Sequence, residues 1–225
     1  MITFEGAGFA YGRDAILRDV SVSVEPGSFQ FLTGPSGAGK TTFLRLCSLA
    51  LRPTSGRVVH YGRNAASASR ADITRVRRKI GVMHQNAQFL DHMTVAENVA
   101  LPQQVVGRLS DAVIRDRDDI LDWVGLGERA TAYPPQLSGG ERQRVALARA
   151  VIASPDIIIA DEPTGNVDRD MAERLLLLLV ELNRIGKGVM IATHDLGLIR
   201  SAKSAVNARV LRLKDGALTL AGAEL

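Results

Sequence analysis

The chain has 225 residues, 46% hydrophobic and 23% charged, with a net charge of +4. That length admits one good-sized domain, or a core with a smaller inserted lobe. Aromatic residues make up only 4%, too few for a base-stacking surface on single-stranded nucleic acid, and the small positive charge is that of an ordinary protein surface.

The first third reads as strands around a glycine-rich loop. "ITFEGAGFAY" and "SVSVEPGSFQFLTG" alternate in polarity and are rich in β-formers, with a turn at Pro26–Gly27. Residues 2–62 are predicted to be strands flanking this loop and the helix that follows it. The single cysteine, Cys47, excludes an internal disulfide and fits a reducing compartment. Its apolar neighbours in "FLRLCSLAL" mark it as a core residue. "RPTSGRVVHYG" reads as a turn leading into a short strand, and "RVRRK", Arg75–Lys79, as a solvated helix face or a contact for anionic lipid or nucleic acid.

Residues 70–152 carry a more helical pattern. Ser110 and Asp111 predict a helix to about Val124 ended by Gly125, and Pro134–Pro135 precede another helix starting near Ser138. The last third alternates apolar strand, loop and helix: "DIIIA", a helix over Met171–Leu182, then "GVMIATH". That rhythm belongs to a parallel sheet. The longest aliphatic run, Leu175–Val180, is far short of a membrane span. The N-terminus lacks a charged start followed by an apolar block, so no signal peptide is expected, and a membrane partner would have to hold the chain at a membrane.

Three stretches carry chemistry. Gly34–Thr41 fits G-x-x-x-x-G-K-[ST]. Its glycines let successive N–H groups converge on phosphate oxygens, and the helix starting near Lys40 adds its positive end. Lys40 is expected to reach the β- and γ-phosphates and the Thr41 hydroxyl to bind Mg²⁺. In "IIIADEPTG", a strand buried on both faces would place Asp161 and Glu162 at its C-terminal end, where parallel sheets bind ligands. Asp161 suits the Mg²⁺ shell and Glu162 a base that polarises an attacking water. In "LSGGERQR", Ser138 and Glu141 form a capping box. Gly139 and Gly140 cost a helical first turn up to about 1 kcal/mol each against alanine, which suits a helix end that closely approaches an anion. His194 ends a strand at the same sheet edge as Asp161, within reach of a γ-phosphate.

Together, in this order, the motifs resemble the nucleotide-binding domain of ABC ATPases over nearly the whole length. The resemblance implies an α/β P-loop NTPase fold: a RecA-like parallel-sheet core, an N-terminal antiparallel β subdomain and an inserted α-helical subdomain. The implied division is a core of 1–86 and 153–225 and a lobe of about 87–152. Gly34, Pro35, Ser36, Gly37, Ala38, Gly39, Lys40, Thr41 and Thr42 match the Walker A loop and Ile157–Glu162 match Walker B. Leu137–Glu141 matches the signature, Gln85 the Q-loop, Asp168 the D-loop and His194 the switch histidine. Catalysis is thereby implied for Glu162, His194 and Gln85, metal binding for Thr41, Gln85 and Asp161, and ATP contacts for Ser138, Gly139, Gly140 and Asp168. Tyr11 takes the position that stacks on adenine, with Phe9 close by as the alternative. A head-to-tail homodimer is implied, each ATP lying between one Lys40 and the other subunit's Ser138–Gly140.

"ADEPTGNVD" is similar to the cell-division, lipoprotein-release and macrolide-exporter ATPases, and "FLTGPSGAGKTTFLRL" to the cell-division branch. That branch implies an FtsX-like integral membrane partner regulating cell-wall hydrolysis, a place on the cytoplasmic face of the bacterial inner membrane, and no nucleic-acid partner. "FLDHMTVAENVALP", Phe89–Pro102, either forms a groove for such a partner or packs within its own lobe. The alternatives are a lipoprotein-release or exporter subunit, an ABC ATPase acting on DNA or ribosomes, and a nucleotide-gated scaffold. Departures from the family pattern are Val167 in the D-loop, Asn86 after Gln85, and Glu141 in the signature.

Overall fold

The structure is a computed structural model that describes residues 1–165 and 167–221; Asn166 of the "ADEPTGNVD" run lies outside the described residues. A β-hairpin opens the chain, β1 (Ile2–Tyr11) with β2 (Asp14–Val24), followed by β3 (Phe29–Thr33), helix α1 (Lys40–Cys47), and strands β4 (Ser55–His60) and β5 (Arg63–Asn64). Helix α2 (Arg70–Arg77) leads to β6 (Ile80–Met83), then to helices α3 (Val95–Val105), α4 (Asp111–Trp123) and α5 (Gly139–Val151). Strand β7 (Ile157–Asp161), helix α6 (Arg169–Arg184), β8 (Gly188–Ala192), helix α7 (Leu196–Ala205), β9 (Ala208–Lys214) and β10 (Ala217–Leu220) complete it.

Two sheets result. One is antiparallel, in the order β2-β1-β4-β5; the other has the order β10-β9-β3-β8-β7-β6 and is parallel except for the β9–β10 hairpin. Strands β3, β7 and β8 are buried at every residue, the mark of a parallel sheet covered on both faces. Because side chains alternate across a strand, each strand feeds two cores. Phe31, Ile158 and Ile191 join Leu147 of α5 and Leu179 of α6 on one face. Leu32, Ile159 and Met190 join Phe43 of α1 and Phe4 of the antiparallel sheet on the other. Cys47 lies in this second core, where burial pushes its thiol pKa up, as its apolar neighbours predicted.

Helix boundaries follow local capping chemistry. Ser69–Asp72, Thr94–Glu97 and Ser138–Glu141 are reciprocal capping boxes for α2, α3 and α5, and Ser110, Asp168 and Asp195 cap α4, α6 and α7. The predicted helix over Met171–Leu182 extends two residues further at each end; at the N-terminal end this is because its cap is Asp168. Helices α7 and the β9–β10 hairpin were not singled out in the sequence. Arg75, Arg77 and Lys79 of the basic run meet Asp72, the Leu49 carbonyl and Asp156. Helices α3, α4 and α5 pack together beside the parallel sheet. Val95, Ala96, Val99 and Ala100 of the Phe89–Pro102 stretch point inward there, leaving Leu90 exposed and Phe89 half-buried. Trp123 at the end of α4 donates its indole N–H to Glu181 Oε2 of α6 at 2.8 Å, tying these helices to the sheet.

Candidate active site

The C-terminal ends of β3, β7 and β8 are level: Leu32 and Asp161 both pair with Ala192. Loops leaving that edge meet at a cleft of about 620 Å³. Its walls are residues 34–37 and 39–42 of the glycine-rich loop, together with Gln85, Asp161, Glu162 and His194. Ile16 of β2 closes one side. Sequence reading missed Ile16, a plain strand residue that abuts Gly39: a Cβ on that glycine would stand 2.8 Å from Ile16 Cγ2.

The loop is shaped by glycine. Gly34, Gly37 and Gly39 have φ of 152°, 77° and 101°, conformations that L side chains rarely adopt. At Gly34 a side chain would also collide with the Leu213 carbonyl of β9. Lys40 Nζ folds back to donate to the carbonyls of Gly34 (2.8 Å) and Pro35 (3.2 Å), so the ammonium sits at the mouth of its own loop. Ala38 packs toward the second core rather than forming a wall of the cleft.

Opposite lie the carboxylates. Thr41 Oγ1 donates to Asp161 Oδ2 at 2.8 Å, bringing a hydroxyl and a carboxylate oxygen together. Hard oxygen donors of this kind suit Mg²⁺. Glu162, only 9% exposed, sits in the left-handed region at φ 46° and is held there by its N–H donating to the Ala192 carbonyl at 2.8 Å. Such a conformation costs a non-glycine residue of order 1–3 kcal/mol; it is retained where a carboxylate must be aimed into the cleft. His194 Nδ1 lies 3.0 and 3.1 Å from the two Glu162 carboxylate oxygens, with its side chain 77% exposed.

Other predicted residues lie elsewhere. Ser138, Gly139 and Gly140 form no wall of this cleft. Ser138 and Gly139 are exposed at the start of α5, and the Ser138 N–H and hydroxyl hold the Glu141 carboxyl below its usual range. Gly140 faces Met171 of α6, whose Cγ would stand 2.9 Å from an added Cβ. Close packing on α6 is thus a second reason for that glycine, beyond the anion approach its position suggested. Asp168 is exposed and accepts from Met171 N–H at 2.8 Å. Between the two aromatic candidates, Phe9 is 7% exposed and belongs to the second core, whereas Tyr11 is 47% exposed, edge-on to Phe9 with ring centres 4.8 Å apart.

The family model described as "ABC transporter" matches residues 17–165. The chain is 43% identical over 220 residues to the cell-division ATP-binding protein FtsE of Escherichia coli K12, covering 97% of each, and 40% identical to FtsE of Bacillus subtilis, covering 89% and 86%. The solved dimer of the ATP-binding cassette MJ0796 in a post-hydrolysis state with ADP and Pi superposes with a TM-score of 0.85 at 32% identity, covering 97% of this chain and 96% of that one. A nucleotide-sized cleft built on a glycine-rich loop, a paired carboxylate edge and these matches have one explanation: the chain belongs to the ABC family and is an ATP-binding, ATP-hydrolysing cassette.

Proposed function

We propose that this cassette is the ATPase subunit of an FtsEX-type complex, closing as a head-to-tail dimer on ATP and docking on an FtsX-like integral membrane protein that regulates cell-wall hydrolysis in bacterial division. The observation that carries the reading is a site divided in space: the Ser138–Gly140 helix end lies outside the cleft of its own chain. A second copy, turned head to tail, brings that end to the first copy's γ-phosphate. The likeness to FtsE over 97% of both chains supports the division role.

In this reading the loop N–H groups and Lys40 hold the phosphates. Thr41, Asp161 and Gln85 are the oxygen donors for Mg²⁺, which when bound neutralises charge on the β- and γ-phosphates. Glu162 orients and deprotonates the attacking water, and His194, within hydrogen-bond distance of Glu162, faces the γ-phosphate from the exposed side. Tyr11 stacks on adenine, and Asp168 sits at the seam between copies. Residues 1–86 and 153–225 carry the nucleotide, and residues about 87–152 carry the partner contact. A cleft of about 450 Å³ beside Phe89 and Arg142 is the seat for a helix of that partner. No helix among the described residues is long and apolar enough to cross a membrane; in this reading the FtsX-like partner holds the chain at the cytoplasmic face.

The test is Glu162→Gln in Mg-ATP, followed by light scattering and by affinity purification from detergent-solubilised membranes. The expected result is a stable dimer that retains an FtsX-like protein. A variant that stays monomeric, or turns over ATP at the wild-type rate, overturns the dimer and base assignments. Retention of a lipoprotein-release or exporter permease instead replaces the division role and leaves the site intact.

A further inference from the structure

The segment that follows β6 presents Gln85 to the nucleotide cleft, and three side chains of α5 hold it from behind. Gln143 Nε2 donates to the Gln85 carbonyl at 3.3 Å. Arg142 Nη2 reaches the Ala87 carbonyl at 3.5 Å, and its Nη1 donates to the Pro134 carbonyl at 2.9 Å. Arg149 Nη1 donates to the Gln88 carbonyl at 2.7 Å. The Phe89 ring lies against both guanidinium groups, 5.1 Å from Arg142 Cζ and 4.6 Å from Arg149 Cζ.

These donors are unusual in two ways. Gln143 is 5% exposed, and its Oε1 is buried with no partner among the described residues. A methionine there would pack as well without an orphaned acceptor, so the amide is retained for what its N–H group holds. Arg149 is buried enough that its pKa is pushed down, yet no carboxylate among the described residues is paired with it; its charge is met by a carbonyl and a ring face. Both side chains are used on the backbone carbonyls of the segment after β6, Gln143 on Gln85 and Arg149 on Gln88.

We infer that Arg142, Gln143 and Arg149 are positioning residues that make α5 and the Gln85 segment one mechanical piece. Ser138 caps α5 and residue 149 lies near its end, so the signature turn and the grip on Gln85 share one rod of 13 residues. Displacement of the Ser138–Gly140 end therefore carries Gln85 with it. Resting on the divided-site reading above, this gives Gln85 a way to sense engagement of the second copy. Gln85 is set in the cleft when the signature end of the same chain is seated on its partner's nucleotide.

The test uses Gln143→Met in the full chain, with Arg149→Lys as a second variant that keeps charge and one donor. Gln143→Met is expected to melt at or above the wild-type temperature and to bind a fluorescent ATP analogue within about twofold of wild type, because Gln143 is not itself a wall of the cleft and meets only the backbone carbonyl of Gln85. Amide hydrogen exchange across residues 85–89 in the nucleotide-free chain is expected to quicken about tenfold. The turnover rate kcat is expected to fall about tenfold with little change in KM, and adding Gln85→Ala to Gln143→Met is expected to cost nothing beyond Gln85→Ala alone. Arg149→Lys recovers part of the rate lost in Arg149→Ala. Unchanged exchange at 85–89, or losses that multiply in the double variant, overturns the inference. A wild-type chain that remains monomeric in Mg-ATP overturns the dimer reading instead, and the nucleotide-free exchange comparison still decides the grip of α5 on its own.

Discussion

His60 is wholly buried, with Nε2 3.0 and 2.9 Å from the carbonyls of Leu46 and Cys47. Both partners are acceptors, so Nε2 carries the proton and donates to the frayed end of α1. Nδ1 is bare, buried and without a partner among the described residues. Burial holds the pKa of this imidazole below the ordinary 6.5. The sign follows directly. Above about pH 6.5 the ring is neutral in folded and unfolded chains alike, and the stability is intact. As pH falls below that value, the unfolded chain takes up a proton that the fold refuses. Stability then declines by up to about 1.4 kcal/mol per pH unit until the folded pKa is passed. Melting temperatures from pH 7.5 to 5 are expected to fall more steeply for wild type than for His60→Gln. Equal slopes would show that His60 charges as readily folded as unfolded. Elsewhere at this scale, an orphaned acceptor such as Gln143 Oε1 costs of order 1–3 kcal/mol, and the left-handed Glu162 a similar amount. Gln143 backs Gln85, and Glu162 lines the same cleft as Gln85.

Among the elements, α5 approaches strand β6 of the sheet closely. An added Cβ on Gly81 of β6 would collide with the Ala150 carbonyl of α5, although Gly81 needs no special backbone angle. Gly81→Ala is therefore expected to push α5 off β6 and to destabilise by about 1–3 kcal/mol, lowering the melting temperature by roughly 2–4 °C per kcal/mol. Thermal unfolding checks it, and an unchanged midpoint would mean that α5 yields without loss. Much of this architecture was legible. The apolar runs "DIIIA" and "GVMIATH" could only be buried strands, so Asp161 and His194 had to fall at one sheet edge, where they are found. The glycine-rich loop was legible because its chemistry is fixed by spacing within eight residues. The grip of α5 on residues 85–89 was not: its contacts join positions 55 to 61 apart in sequence, and Gln143 and Arg149 read as ordinary helix residues. Ile16 gave no local signal either, since it is defined by what it packs against, whereas the β9–β10 hairpin did carry one that went unread: Asp215–Gly216, both at positive φ, is a two-residue hairpin turn.

For the molecule as a whole, the nucleotide cleft and the signature turn open on different parts of the surface. In the proposed head-to-tail dimer one chain alone presents half of each composite site, and turnover is then expected to rise more steeply than linearly with protein concentration below the dimerisation constant. Dilution series of the wild-type ATPase rate check this, and a specific activity independent of concentration would show that one chain suffices.

Trp123 is the sole tryptophan of the chain, and its indole N–H is bonded to Glu181 of a different helix at 2.8 Å. All indole emission therefore comes from the junction between α4 and α6, and the native protein carries its own optical gauge of that junction with no label attached. Glu181→Leu, which frees the indole, is expected to shift the emission maximum and give the spectrum of a parted junction. Titrating wild type with Mg-ATP and reading how far it moves toward that spectrum turns a rearrangement of the helical lobe into a number, in the same cuvette that measures turnover.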